Sequence, residues 1–228
     1  MSTAGRVESE KPVGPRSRKG TITRARLLGA AKQIFERDGY LDARVTDIAE
    51  RAGVSHESFY HYFESKEEIF REVAETLQER LSSHSVADSG LLDAGSHVTM
   101  WQRIRESNRA YLEGYRDEAR IMGVVEQVSR YDHEVGAARF ARETYYTRQT
   151  AVAIRNLQQL GLVDPVLDPR VAACALSAMV TRCAEMWFVQ GLFESDFDTG
   201  VDQLTSLCIN ALQLKDKGRQ PRTAKTSG

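Results

Sequence analysis

Residues 45–63 read VTDIAERAGVSHESFYHYF and crowd two imidazoles, His56 and His61, beside the rings of Phe59, Tyr60, Tyr62 and Phe63. A helix on a globular protein buries one apolar stripe and leaves its other side polar. Phe59 and Phe63, four apart, make the inward stripe. His56, Glu57, Ser58, Tyr60, His61 and Tyr62 are left as an outer surface of hydroxyls, imidazoles and ring edges. That set suits contact with a polar partner. It does not suit catalysis or metal binding, because no Cys or carboxylate sits at ligand spacing with the histidines. Elsewhere the chain has no Gly-rich phosphate loop, HExxH or GxSxG. Glu67 and Glu68 read as helix-start charges rather than an acid/base pair. Cys174 and Cys183 are nine apart, which is no zinc pattern, and His84, His97 and His133 are scattered. No enzyme, cofactor or metal is expected.

The elements that position this segment follow from periodicity. The chain has 228 residues, 41% hydrophobic and 28% charged, with a net charge of -1. That is an ordinary globular composition. The near-neutral balance does not exclude nucleic acid, because binding needs only a local basic patch. Arg6, Lys11, Arg16, Arg18, Lys19, Arg24 and Arg26 face only Glu8 and Glu10 in the first stretch. No apolar run approaches the ~20 residues of a membrane span, and no secretory signal is visible. Cys174, Cys183 and Cys208 read as small core residues in a reducing compartment. A cytoplasmic protein with no membrane partner is expected.

Almost every segment carries a helical period, and none alternates as a strand. The first helix is expected from Thr21 or Ile22 through Phe35, with Gly39 as its C′ residue. Thr46 is the expected N-cap of a second helix ended by Gly53, and Ser55 the cap of a third running to Tyr62. Ser65 to Glu68 is a capping-box pattern opening a long fourth helix. Residues 85–96, SVADSGLLDAGS, read as a loop. Helices are then expected over about 96–117, around Ile121 to Val128, over 133–160, from Asp168-Pro169 to Phe188, and over about 199–214. The domain plan is a flexible basic arm at 1–20, a three-helix domain at 21–66, a helical domain at 67–214 and a disordered basic tail at 215–228. The fold class is all-α.

Two short helices joined at Gly53-Val54-Ser55 form a helix-turn-helix. Ala49 is small enough for close helix approach, Gly53 permits the left-handed turn, and Ile48 with Val54 plugs the space between. The second helix is then free to enter a major groove.

From Thr23 to about Ala74 the chain resembles the tetracycline-repressor (TetR) family of one-component transcriptional regulators. The matching runs are TRARLLGAAKQIFERDGY, VTDIAERAGVS and FYHYFESKEEIF. The resemblance implies an Ω-shaped homodimer on a double-stranded operator, with a C-terminal domain that binds a small molecule and releases the DNA. It implies that Thr46 touches a phosphate, that Tyr60 and His61 reach phosphates and groove edges, and that Lys66 grips the backbone. Arg44, Ser55, His56, Glu57, Ser58 and Tyr62 complete the DNA-facing set. Glu57 reads either as an acceptor for cytosine N4-H or as a carboxylate facing the helix dipole. The basic arm reads either as a solubilising tail or as a minor-groove probe.

In the second domain Trp101, Tyr111, Tyr115, Met122, Phe140, Tyr145 and Tyr146 read singly as core and together as a cavity with hydroxyl handles. Such a site suits a largely apolar effector. Arg105, Arg109 or Arg142 could add one charge for a carboxylate. Ala172, Ala173, Ala175 and Ala178 with Met179, Arg182, Met186, Trp187 and Phe188, and Leu204, Leu207, Ile209 and Leu212 of the last helix, read as an interface. The resemblance makes it the dimer interface, where these helices pair across a two-fold axis. The alternative function is a small-molecule-binding protein or enzyme in the C-terminal helices with a vestigial DNA-binding motif.

Overall fold

A computed structural model describes residues 18–82 and 99–215, with the side chain of Arg142 left aside. Most of the expected arm, the 85–96 loop, His84, His97, the start of the fifth helix and nearly all of the tail lie outside the described residues. Among these residues every regular element is helical, as the periodicity required. The chain divides into two compact units, Met1–Val73 and Ala74–Gly228.

The first unit holds α1 Arg18–Asp42, α2 Val45–Ala52, α3 His56–Phe59 and the start of α4 Lys66–Ser82. Helix α1 begins at Arg18, so the last residues of the expected arm are helical. It breaks at Gly39, whose φ of 75° is the left-handed region only glycine enters freely. Leu27, Ala31, Ile34 and Phe35 of α1 meet Ile48, Ala49 and Ala52 of α2, and Phe59, Phe63, Ile69 and Phe70, all buried. The rings interlock: Phe35 and Phe70 lie edge to face at 4.9 Å, Tyr40 and Phe70 at 4.8 Å. Arg24 lies over the Phe63 ring and forms an ion pair with Glu72. Removing a ring as buried as Phe59 costs about 3–5 kcal/mol in comparable cores.

The second unit contains the end of α4, then α5 Met100–Asp117, α6 Ala119–Val128, α7 His133–Gln159, α8 Pro169–Ala184, a π-helical turn Glu185–Val189, and α9 Phe197–Ala211. Its helix starts are made by side chains. Thr99 and Gln102 complete a capping box, and Asp132, Asp168 and Asp196 each accept from backbone N–H groups of the following turn. Asp168 with Pro169 is the start expected from sequence. Helix α7 packs along α8, and α5 along α9. Ile154, Leu157, Val163, Ala173 and Leu212 form one apolar cluster, Ile104, Cys208 and Ile209 another. Cys208 is therefore core, whereas Cys174 is exposed. Its position on the outer face of α8 overturns the core reading.

One stretch does reach membrane-spanning length and apolarity. Pro169–Val189 has 21 residues and a mean hydropathy of 1.2, and only 22% of its most apolar window is buried. Its alanines and methionines, too short or too interrupted by Arg and Glu to stand out as a run, raise the average.

Candidate nucleic-acid interface and effector cavity

Helix α2 ends where Gly53 turns left-handed, at φ 66° and ψ 41°. The Val54 N–H then donates back to the Ala49 carbonyl at 3.0 Å, which closes the turn. Ile48 and Ala49 are buried, and Val54 is half-buried, so the expected plug is partly open. Ser55 Oγ accepts from the Ser58 N–H at 3.1 Å and caps α3. Helix α3 is a single turn, His56–Phe59, shorter than the expected helix to Tyr62. Residues 60–62 continue as turns tied by Tyr62 N–H to Phe59 O at 2.9 Å. Phe59 and Phe63 stay buried four residues apart, and the Phe63 N–H still donates to the Phe59 carbonyl at 3.1 Å.

This leaves a compact outward surface. His56, Glu57, Tyr60 and His61 are exposed, Tyr60 at 49%, and Ser58 and Tyr62 are half-buried. The Tyr60 ring stands edge-on to His56 at 5.1 Å and to Phe59 at 5.3 Å. The ring is therefore held on two sides while about half of the residue stays exposed. The Glu57 carboxylate is held below its usual pKa, first by its own backbone N–H and then by the Ser55 hydroxyl. That is what a charge at a helix start does, and it favours the dipole reading.

One expected role changes, and a second residue is already engaged. Thr46 is not the cap of α2: the helix starts at Val45 after Arg44, which makes no side-chain cap bond. Thr46 is exposed and points its Oγ1 to Asp47 Oδ1 at 3.2 Å. Arg44, also exposed, stands where the backbone turns into the helix. Lys66 was expected to grip a phosphate. Its ammonium instead donates to three carbonyls, Tyr40 O at 2.8 Å, Leu41 O at 3.2 Å and Ala43 O at 3.0 Å. An ammonium has three protons, so a phosphate would have to displace one of these bonds. Ser65 caps α4 through Glu68 N–H at 3.2 Å, while the Glu68 carboxylate reaches Glu64 N–H.

The second unit forms a half-open cavity of about 230 Å³. Helix α5 supplies Ile104, Ser107, Asn108, Tyr111 and Tyr115; α6 supplies Met122, Val125 and Glu126. One face of α7 lines it with Arg139, Glu143, Tyr146, Thr150, Ala153, Ile154 and Leu157. Ser177, Val180 and Thr181 of α8, and Glu185 of the π turn, close the side. Tyr111 donates to Thr181 Oγ1 at 3.3 Å, and Asn108 Nδ2 to Thr205 Oγ1 at 3.2 Å. Burial pushes the Tyr115 phenol well above its usual pKa, with Tyr111, Glu185 and Glu126 adding to the shift.

Four expected residues, Tyr111, Tyr115, Met122 and Tyr146, line this cavity; Trp101, Phe140 and Tyr145 do not. Phe140 and Tyr145 are 71% and 55% exposed. Tyr145 and Tyr146 are consecutive on a helix, about 100° apart, so only one can face inward. Arg105 and Arg109 are also absent from the wall, because Asp198 and Asp202 hold them. The charged residues that do line it, Arg139, Glu126, Glu143 and Glu185, were not singled out from sequence. The signal was present in α7, where Arg139, Glu143, Tyr146, Thr150 and Ala153 recur at helical spacing.

The expected interface residues also divide. Ala175, Arg182 and Leu207 are exposed, and Met179, Met186 and Trp187 half-buried. Leu204 is core, facing inward one turn from Leu207. Trp187 stacks on Phe188 at 4.5 Å and Phe193 at 5.5 Å, and covers Gly200 so closely that a Cβ there would collide with its ring. Val171, Cys174, Ala175 and Ala178 form an open stripe on α8, and Gln203, Leu207 and Asn210 one on α9.

Residues 27–73 match the family model for bacterial regulatory proteins of the tetR family. Over 214 residues the chain is 42% identical to the uncharacterized HTH-type transcriptional regulator YdgC of Bacillus subtilis, spanning 90% of this chain and 96% of that protein. It is 24% identical over 195 residues to the HTH-type transcriptional regulator TtgR of Pseudomonas putida, with 80% and 91% covered. Among solved structures, the fatty acid degradation regulator FadR from Bacillus halodurans superposes with a TM-score of 0.68 at 18% identity, covering 85% of this chain and 97% of that one. At that identity the likeness speaks for the fold alone.

Proposed function

This chain belongs to the tetR family of bacterial regulatory proteins, and we propose that it is a homodimeric cytoplasmic repressor that a small, largely apolar ligand releases from its operator. The observation that carries this reading is the presence of an anchored, exposed Tyr60–His61 turn in one unit and of a half-open cavity in the other. Tyr60, His61, Arg44 and Thr46 are the groups free to meet DNA. Phosphate contacts from such groups position a protein, and base contacts specify the sequence.

The apolar stripe of α8, with the exposed Leu207 of α9, supports dimerisation, since an exposed helix face of alanine and valine finds its cover in an isologous copy. Helix α4 starts at Lys66, which clamps the end of α1, and ends with Gln78 and Leu81 in the cavity wall. Ligand in that wall and DNA at the first unit thus bias the same helix. The ligand weakens DNA binding only by its differential affinity for the two states.

Gel shifts on the DNA flanking its gene test the reading, together with transcription from that DNA in vitro. A retarded complex of two protomers per site that lowers transcript supports it. A complex that raises transcript, or a single protomer per site, contradicts it.

A further inference from the structure

The cavity wall carries three carboxylates, Glu126, Glu143 and Glu185, and one guanidinium, Arg139. That guanidinium is already committed: Arg139 pairs with Glu126 and donates to Ser129 Oγ at 3.1 Å. A carboxylate ligand would have to compete with Glu126 for Arg139, in a pair whose side chains are 32% and 23% exposed. Tyr115 adds a second, independent observation. It is 2% exposed and lines the cavity, and no described residue hydrogen-bonds its hydroxyl. The residue lines the cavity, so a ligand group there can hydrogen-bond its hydroxyl. Glu185 and Glu126 both act on that hydroxyl as negative charges, with Arg139 opposing them.

Two further guanidiniums approach the wall from outside, so the charges balance overall, and among the described residues Glu143 is the one wall carboxylate with no ion pair. Arg130 reaches Glu126 at 3.5 Å and Arg182 reaches Glu185 at 2.6 Å, both from exposed positions, and Gln190 donates to the other Glu185 oxygen at 2.9 Å. Carboxylates retain acceptor sites beyond these bonds. Tyr111 and Tyr115, with ring centroids 6.0 Å apart, and Tyr146 supply π faces of the kind that attract cations.

We propose that this cavity takes an organic cation, an apolar body with one protonated amine that lies among Glu126, Glu143, Glu185 and the Tyr115 hydroxyl. The proposal rests on the cavity being the effector site.

The test is calorimetric titration of the full chain with 4-phenylbutylamine, 4-phenylbutyrate and 4-phenylbutanol, which share one skeleton and differ in charge. The amine is expected to bind at least about tenfold tighter than the other two. Glu143→Gln and Glu185→Gln should each erode that preference. Glu143 is exposed, so its variant keeps the test valid should the buried Glu185→Gln fail to fold. Ala153→Trp, which fills the cavity, should weaken all three probes. If the acid or the alcohol binds as tightly as the amine, the cation proposal is overturned while the effector site stands. If none of the three binds, both fall.

Discussion

The Lys66 ammonium donates to the Tyr40 carbonyl at 2.8 Å while lying 4.7 Å from the centre of the Tyr40 ring. Bonds to Leu41 and Ala43 complete its three donations. The last carbonyls of a helix lack intrahelical partners, and a cation there also interacts favourably with the negative end of the helix dipole. Lys66 thus pins the first turn of α4 to the end of α1, immediately before the chain enters the helix-turn-helix.

Lys66→Met should therefore lower stability by about 1–2 kcal/mol, the net worth of bonds to a charged donor at a part-exposed site. Lys66→Arg should recover only part of it, because a planar guanidinium cannot converge on three carbonyls as an ammonium does. Urea unfolding measures both. Unchanged midpoints alongside weakened DNA binding would return Lys66 to a phosphate-gripping role.

Gly53→Ala tests the turn. A side chain at φ 66° costs about 1–3 kcal/mol, and its Cβ would lie 2.6 Å from Arg26 Nη2, which donates to the Ala52 carbonyl. The thermal midpoint should fall and DNA binding should weaken with it. A variant as stable as the parent would mean that the turn tolerates another geometry.

The sequence made the anchors of this fold legible, because each is a local event. Ser55 caps α3, Asp168 with Pro169 opens α8, Gly53 takes the left-handed turn, and Phe59 with Phe63 forms the buried stripe. What escaped depended on which way a helix faces. Helix α7 mixes Arg, Glu, Tyr and Thr around its circumference, so its cavity face became visible only once α5, α6 and α8 were packed against it. The Lys66 role escaped for a related reason: its acceptors lie 23 to 26 residues upstream, and no local pattern encodes them. Leu204 and Leu207 look alike in sequence, yet one is core and the other surface.

Those two leucines separate folding from assembly. Leu207 is 51% exposed on α9 and Leu204 is 5% exposed. Leu207→Arg should give a monomer of nearly normal stability in light scattering. Leu204→Ala should remain dimeric and lose about 2–5 kcal/mol. A dimeric Leu207→Arg protein would place the interface on another face.

Arg44 is exposed beside the start of α2. If it meets a phosphate, Arg44→Ala should lower the slope of log affinity against log salt by about one, since each phosphate contact releases roughly one counterion. Anisotropy titrations at several salt concentrations give the slope. A parallel line at lower affinity would assign Arg44 to a structural task.

Sequence-specific DNA binding by the Tyr60–His61 turn is tested most directly by selecting duplexes from a randomised pool with the purified protein and sequencing what it retains. The expected result is enrichment of an inverted repeat, whose half-sites mirror the two-fold axis of a dimer. The Tyr60→Ala/His61→Ala variant, folded to the same thermal midpoint, should lose that enrichment. No enriched sequence with the parent protein, or the same repeat enriched by the variant, would contradict the account.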